Sequence, residues 1–468
     1  MIKPLYLLVV EAEIQNRTGP YEFGQYFALI NFSFILNILL DLGTSNWNTR
    51  RIANAGRVTL RQFKTMIVLR MALAVLYVII AIVIGKMMGY SASQMWMLLI
   101  LAFNQVLVSM ILYMRSYLTG LHLFRQDSII SVLDRLLLLL MMSALLWTGI
   151  SGQQKFQIEW LVWGQTISYG ITLFIAFALV SAQGKKDLGY EEPISIPDVL
   201  KNSFPFALLI LVSMIGYRID AVMLERMTGS IDAGIYAMGF RFFEATNMIA
   251  YLFAVLLLPI FSRMLNNKED VTALLHLSFK VLFSGTFIIT TFCCFFGFEI
   301  LDLIYDQHIN EATPAFAWLM LSALFFSLQY VTGTLITASG NLRTLIYIAF
   351  AGMVYNIVLN IFYIPTMGAE GAARASCFTQ AMIFFAQTGV VMHRHHHGSA
   401  RVILIRTIGF MSVVIATGFA LNSDHFNSHN RYFLAGVFLA VAFATTLFTG
   451  MLDYRQIPML LKSRNTTT

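Results

Sequence analysis

Residues 66–88 read MIVLRMALAVLYVIIAIVIGKMM. Between Arg70 and Lys86 this stretch carries fifteen apolar or small residues and no charge. A helix needs about 20 mostly apolar residues to cross a bilayer, and residues 66–88 reach that length. Working outward, comparable runs occupy 1–14, 23–46, 94–114, 129–149, 158–181, 203–225, 233–261, 273–298, 313–338, 345–366, 369–392, 402–421 and 432–452. The sequence therefore predicts an all-α polytopic membrane protein with about fourteen spans. The first run is too short to cross and carries Glu11 and Glu13, so that helix is expected to lack its cytoplasmic end.

Composition agrees. Of 468 residues, 58% are hydrophobic and only 12% charged, against roughly 25% charged in an average soluble domain. Mean hydropathy is +0.72. These values exclude a soluble enzyme, a nucleic-acid-binding domain, a disordered chain and a disulfide scaffold. Cys293, Cys294 and Cys377 all lie inside apolar runs. The net charge of +7 is informative through its placement. With Met1 inside, the inner loops hold Lys3, Arg50, Arg51, Arg57, Arg61, Lys64, Arg115, Arg125, Lys185, Lys186, Lys201, Arg263, Lys268, Arg343, Arg394, Arg401, Arg406, Arg455, Lys462 and Arg464. The outer loops hold only Arg17, Lys86, Lys155, Arg226 and Arg431. Basic residues concentrate in cytoplasmic loops, so both termini are expected in the cytoplasm.

The chain repeats. Residues 18–26 read TGPYEFGQY and residues 228–236 read TGSIDAGIY, an offset of 210. Phe32 matches Phe242 and Asn37 matches Asn247 at the same offset. The repeat is parallel, as in the two halves of many transporters. The expected organisation is a six-helix lobe over 1–182, a cytoplasmic linker over 183–201, a second six-helix lobe over 202–392, two additional helices over 402–452 and a cytoplasmic tail over 453–468.

Charges inside spans cost on the order of 3 kcal/mol each, so they are the first functional candidates. Arg70, Arg135 and Arg374 lie within two turns of a span end, where a long side chain can reach the interface. Arg218, Arg241 and Lys280 lie deeper and require a water-filled cavity, an acidic partner or an anionic ligand. Arg241 and Glu244 share a helix face three residues apart; Arg218 and Asp220, two apart, do not face each other. Asp41, Asp220 and Glu244 are candidate ion-coupling carboxylates, with interhelical pairing the competing role; Asp41 is expected on one face with Asn37. Asp134 and Glu299 lie near span ends and are expected to face loops. Neutral polar stripes (Asn104, Gln105, Ser109; Gln165, Thr166, Ser168; Asn356, Asn360; Gln380, Gln387) suit either a wet groove or interhelical hydrogen bonds. The His393–Arg394–His395–His396–His397 run reads as a solvated basic loop rather than a zinc site. No phosphate-binding Gly-rich loop with its Lys, no Gly-x-Ser-x-Gly and no His-Glu-x-x-His occurs.

Three stretches resemble a known family: 24–54, GQYFALINFSFILNILLDLGTSNWNTRRIAN; 216–247, with Tyr217, Asp220, Gly234, Tyr236, Arg241 and Glu244; and 338–376, with NIVLNIFYIPTMGAEGAARAS. The last carries Asn356, Leu359, Asn360, Ile364, Pro365, Gly368, Ala369, Gly371, Ala372 and Ala373. Together they resemble the polysaccharide exporters and O-antigen-type flippases of the multidrug/oligosaccharidyl-lipid/polysaccharide exporter superfamily. The shortened first helix and Arg374, where an aliphatic residue is usual, depart from that pattern. The resemblance implies a non-enzymatic flippase, without cofactor, in the bacterial cytoplasmic membrane. It would move an undecaprenyl-pyrophosphate-linked oligosaccharide to the outer leaflet by alternating access, driven by a proton, sodium ion or membrane potential. Polysaccharide assembly proteins are candidate partners. Substrate contacts would come from Arg218, Arg241, Lys280, Arg374 and Arg70, because a pyrophosphate calls for guanidinium or ammonium groups. A cation-coupled multidrug antiporter, a membrane glycan polymerase or ligase, and a non-transporting scaffold are the competing readings.

Overall fold

The computed structural model describes residues 2–55, 60–148, 155–183, 196–394, 400–423 and 430–451. Most of the expected linker, all of the expected tail, and His395 to His397 lie outside them. The chain forms two compact units, Met1–Gly234 and Ile235–Thr468. Eleven helices among the described residues are long and apolar enough to cross a membrane. One of these, Leu342–His393, holds two expected spans, parted at Gly368, where φ is 53° and ψ −128°. The helical run 2–18 and the helix Ala400–Leu421 account for the other two of fourteen. The protein is an all-helical, multi-pass membrane protein.

In the first unit, α1 (Ile2–Leu5) continues through a π turn, Tyr6–Val10, into α2 (Glu11–Thr18). Gly19, at φ 86°, turns the chain, and Pro20 starts α3 (Pro20–Leu36), where a missing N–H costs nothing. The apolar run 23–46 predicts one span, but the helix ends at Leu36 and tightens into a 3-10 turn, Asn37–Leu40. Asp41 is the physical reason. Its carboxylate accepts from the Gly43 and Ser45 amides at 3.1 and 3.0 Å and from the Ser45 hydroxyl at 2.6 Å. It thereby caps a new helix, α4 (Thr44–Ala55). Asp41 and Asn37 consequently do not share a helix face. Ile52 packs α4 onto Gly120 at the end of α6 (Ala92–Gly120), where an added Cβ would sit 2.7 Å from the Ile52 Cβ. Ser91 and Gln94 start α6 with a reciprocal capping box. α5 (Leu60–Met87), α7 (Phe124–Trp147), α8 (Ile158–Gln183) and α9 (Ile196–Met227) complete the unit. α9 packs along α3.

The second unit takes most of α10 (Ser230–Asn266), then α11 (Thr272–Phe295), the short α12 (Gly297–Asp302), α13 (Ile309–Ala338), α14 (Leu342–Arg394), α15 (Ala400–Leu421) and α16 (Arg431–Phe448). α15 and α16 pair and dock on α11. Phe283, Phe287, Phe410, Val414, Leu434 and Phe438 form the packed seam, and Arg431 pairs with Glu299 at 2.6 Å beside it.

Candidate functional site

Arg218 lies on α9, where that helix meets α3. Its Nη1 donates to the Asn31 side-chain oxygen at 2.6 Å. Asn31 is oriented for this, because its own amide nitrogen donates to the Phe27 carbonyl at 2.7 Å. The guanidinium sits 4.4 Å from the Phe34 ring centre and 5.1 Å from that of Tyr217. Such rings stabilise a cation without neutralising it. Arg218 is half-buried, whereas Asp220, two residues closer to the helix end, is only 1% exposed. A positioned and partly accessible guanidinium therefore sits on α9 beside Asn31 and two aromatic rings.

Arg70 is placed differently. It is fully buried rather than reaching the interface. Nη2 meets Asp41, Thr44 Oγ1 at 2.9 Å and Ser45 Oγ at 2.7 Å; Nη1 donates to the Ser109 carbonyl and hydroxyl at 3.1 and 3.0 Å. The guanidinium also covers the Tyr113 ring at 4.6 Å. The structure thus brings together Arg70 and Asp41, which lie 29 positions apart. The cluster ties the start of α4 to α5 and α6.

The polar stripes of this unit are largely interhelical ties. Asn37 donates to Gln105 at 2.6 Å, Gln165 to the Tyr26 hydroxyl at 2.6 Å, and Thr166 to Asn104 at 2.7 Å. Glu225 is buried near the end of α9. It accepts from Gln94 at 2.9 Å and pairs with Arg226. Tyr90 sits beside them in the loop before α6; burial, then the Glu225 charge, push its phenol above the ordinary range.

In the second unit, Arg241 is 2% exposed. Its Nη1 donates to the Tyr305 hydroxyl at 2.6 Å, and that hydroxyl donates to the Met238 carbonyl at 3.4 Å. Glu244 and Lys280 are half-buried on α10 and α11. Arg374 is held by Glu370 one turn earlier at 2.5 and 3.0 Å and covers the Trp318 ring at 5.3 Å. The stripes again form ties: Gln329 donates to Gln380 at 2.9 Å and Thr332 to Gln387 at 2.7 Å. The sequence reading missed Asn31, Tyr305 and Trp318 as partners of the arginines. Asn31 carried a weak signal, an amide amid apolar residues; Tyr305 and Trp318 carried none, because such contacts join distant segments.

A family model described as polysaccharide biosynthesis protein matches residues 7–265. An uncharacterized membrane protein of Methanocaldococcus jannaschii, MJ1375, is 24% identical over 201 residues, covering 43% of this chain and 47% of that protein. The matched region thus spans about half the length of such curated relatives. A structure of the lipid II flippase MurJ in an inward closed conformation covers 96% of each chain with a TM-score of 0.71 and 16% identity. An inward-facing multidrug resistance MATE family transporter of the MOP superfamily covers 84% of this chain and 96% of that one, with a TM-score of 0.64 and 14% identity. Those two solved structures share this chain's fold. The helical two-unit architecture, the intramembrane arginines and a family match over more than half of the chain lead to one conclusion: this chain belongs to the polysaccharide biosynthesis protein family, with a MurJ- and MATE-like fold.

Proposed function

We propose that this protein flips an undecaprenyl-pyrophosphate-linked oligosaccharide from the cytoplasmic to the outer leaflet of a bacterial cytoplasmic membrane, with both termini cytoplasmic. The observation that carries the reading is Arg218: a half-buried guanidinium, aimed by Asn31 and flanked by two aromatic rings, in a helix long and apolar enough to cross a membrane. Such a group recognises a phosphate-bearing headgroup through paired N–H donors. The polyprenyl tail stays in lipid while the headgroup crosses. Lys280 is assigned an auxiliary role with the headgroup. Arg241, Arg374 and Arg70 are engaged by Tyr305, Glu370 and Asp41, and their contribution is positional. Among the carboxylates, Asp220 and Glu244 are assigned to ion coupling, and Asp41 to holding α4. A membrane potential acting on the anionic headgroup adds about 2.3 kcal/mol per charge per 100 mV.

The test is reconstitution of the purified protein in vesicles with a labelled undecaprenyl-pyrophosphate oligosaccharide. Arg218→Ala should abolish transfer between leaflets, and Arg218→Lys should reduce it less, since charge remains and only the forked geometry is lost. Normal flipping by Arg218→Ala overturns the headgroup role. Absence of flipping by the unaltered protein, with proton-coupled efflux of organic cations in its place, assigns the chain to drug transport.

A further inference from the structure

Between Asp41 and Asp127 the chain carries nine basic residues and no acidic one. Both bounding carboxylates are taken, Asp41 by Arg70 and Asp127 by Arg115 at 2.7 and 3.3 Å. The structure gathers part of this basic excess around the last turns of α6. Asn48 donates to the Ser116 hydroxyl at 2.7 Å and Thr49 to the Ser116 carbonyl at 3.3 Å, which lays α4 on that end. Phe63, in the first turn of α5, meets the Tyr117 ring at 5.3 Å and the Tyr113 ring at 6.1 Å. The Arg115–Asp127 pair ties in the start of α7. Arg51, Lys64, Arg115 and Arg125 therefore surround one end of the first unit. It is the end that the distribution of basic residues assigns to the inner side.

α4 is polar and only 12 residues long, TSNWNTRRIANA, so it does not cross a membrane. Asn48, Thr49 and Ile52 bind it to α6. Trp47 and Arg51, one turn apart, stack at 5.2 Å. Tryptophan and arginine both settle at the headgroup level of a bilayer. Past the end of α6, Phe124 is 57% exposed and is followed by the exposed Arg125, just as the exposed Lys64 follows Phe63. Among the described residues neither Lys64 nor Arg125 forms an ion pair.

We propose that this face docks anionic phospholipid of the inner leaflet, with α4 lying in the headgroup layer. Charge and apolar surface together decide the occupant. A zwitterionic headgroup offers no net attraction, and a soluble anion makes no use of the exposed ring beside the charge. An anionic lipid uses both: phosphate groups meet Lys64 and Arg125, and acyl chains cover Phe124. One basic side chain at an anionic membrane surface corresponds to about a fivefold enrichment of such lipid. Bound lipid braces α4, whose start is tied to Arg70 through Asp41, Thr44 and Ser45.

The test transports no substrate, so its outcome is separate from that of the flipping assay. In protein with Cys293, Cys294 and Cys377 replaced by Ala, a bimane is attached through Ser128→Cys, an exposed position one turn beyond Phe124. The protein is placed in phosphatidylcholine vesicles in which a tenth of the lipid has brominated chains, carried either on phosphatidylglycerol or on phosphatidylcholine. The quenching constant should be at least threefold larger for brominated phosphatidylglycerol. A bimane attached through Ser93→Cys, exposed at the opposite end of α6, should show no such preference. Lys64→Gln combined with Arg125→Gln, both at exposed positions, should abolish the preference at Ser128→Cys, and raised salt should lower it. Equal quenching by the two lipids, or a preference that survives the double variant, overturns the proposal. Should equal quenching be accompanied by a bimane emission that shifts on adding soluble pyrophosphate, the face takes a free phosphate group and the lipid assignment falls.

Discussion

Replacing Arg70 by Met keeps an unbranched apolar stem and removes the guanidinium and its charge. The guanidinium makes five hydrogen bonds, to Asp41, Thr44, Ser45 and twice to Ser109. Removing one member of a buried ion pair generally costs 3–5 kcal/mol. Here the cost is lower, because the Asp41 side chain is 25% exposed and keeps its bonds to Gly43 and Ser45. Water and those bonds together leave a loss of about 2–3 kcal/mol. Asp41→Asn removes the charge from the other side, and the double variant strands neither partner. A double-mutant cycle should therefore return a coupling of about 1–2 kcal/mol. The assay is SDS-titrated unfolding in mixed micelles, applied to the parent, both single variants and the double variant. If Arg70 instead reached toward the interface as an isolated charge, Arg70→Met would change stability by less than about 0.5 kcal/mol. A coupling below that value would refute the buried pair and the account of α4 built on it.

Three further outcomes are expected. Tyr305→Phe removes the acceptor at 2.6 Å from Arg241 and keeps the ring, so it should cost about 1–3 kcal/mol in the same unfolding titration, and less than Tyr305→Ala. Gly371→Ala brings a Cβ onto the Tyr363 carbonyl and within 3.1 Å of the Ile364 nitrogen, so it should lower the melting temperature in detergent far more than Gly389→Ala, where the added atom meets nothing within 4 Å. The Tyr90 phenol is held above its ordinary value of 10.0 by burial and Glu225. Above about pH 10 the unfolded chain loses this proton first, so stability falls as pH rises; Tyr90→Phe should reduce that slope in pH-dependent melting curves.

Hydropathy located the spans because membrane-crossing helices satisfy their backbone internally and show an apolar face to lipid. The division at Gly368 was visible as a gap between two runs. The end of α3 was not, since residues 37–40 are as apolar as those before them; Asp41 ends the run by capping the next helix, which hydropathy does not register. Arg70 looked able to reach the interface from its position near a span end. Its burial became apparent only with Asp41, Thr44 and Ser109 folded around it. Arg218 was recognisable as a costly charge, but Asn31, which orients it, lies 187 positions away.

The sequence by itself determined the helical membrane architecture, the unequal distribution of basic residues and the 210-residue repeat, because hydropathy, charge and periodicity are local or additive properties of the chain. Only the tertiary structure decided that Arg70 pairs with Asp41, that Arg241 is held by Tyr305, and that Asn31 orients Arg218. Those relations depend on which atoms come within a few ångströms across distant segments, and spacing along one strand of residues carries no record of that distance.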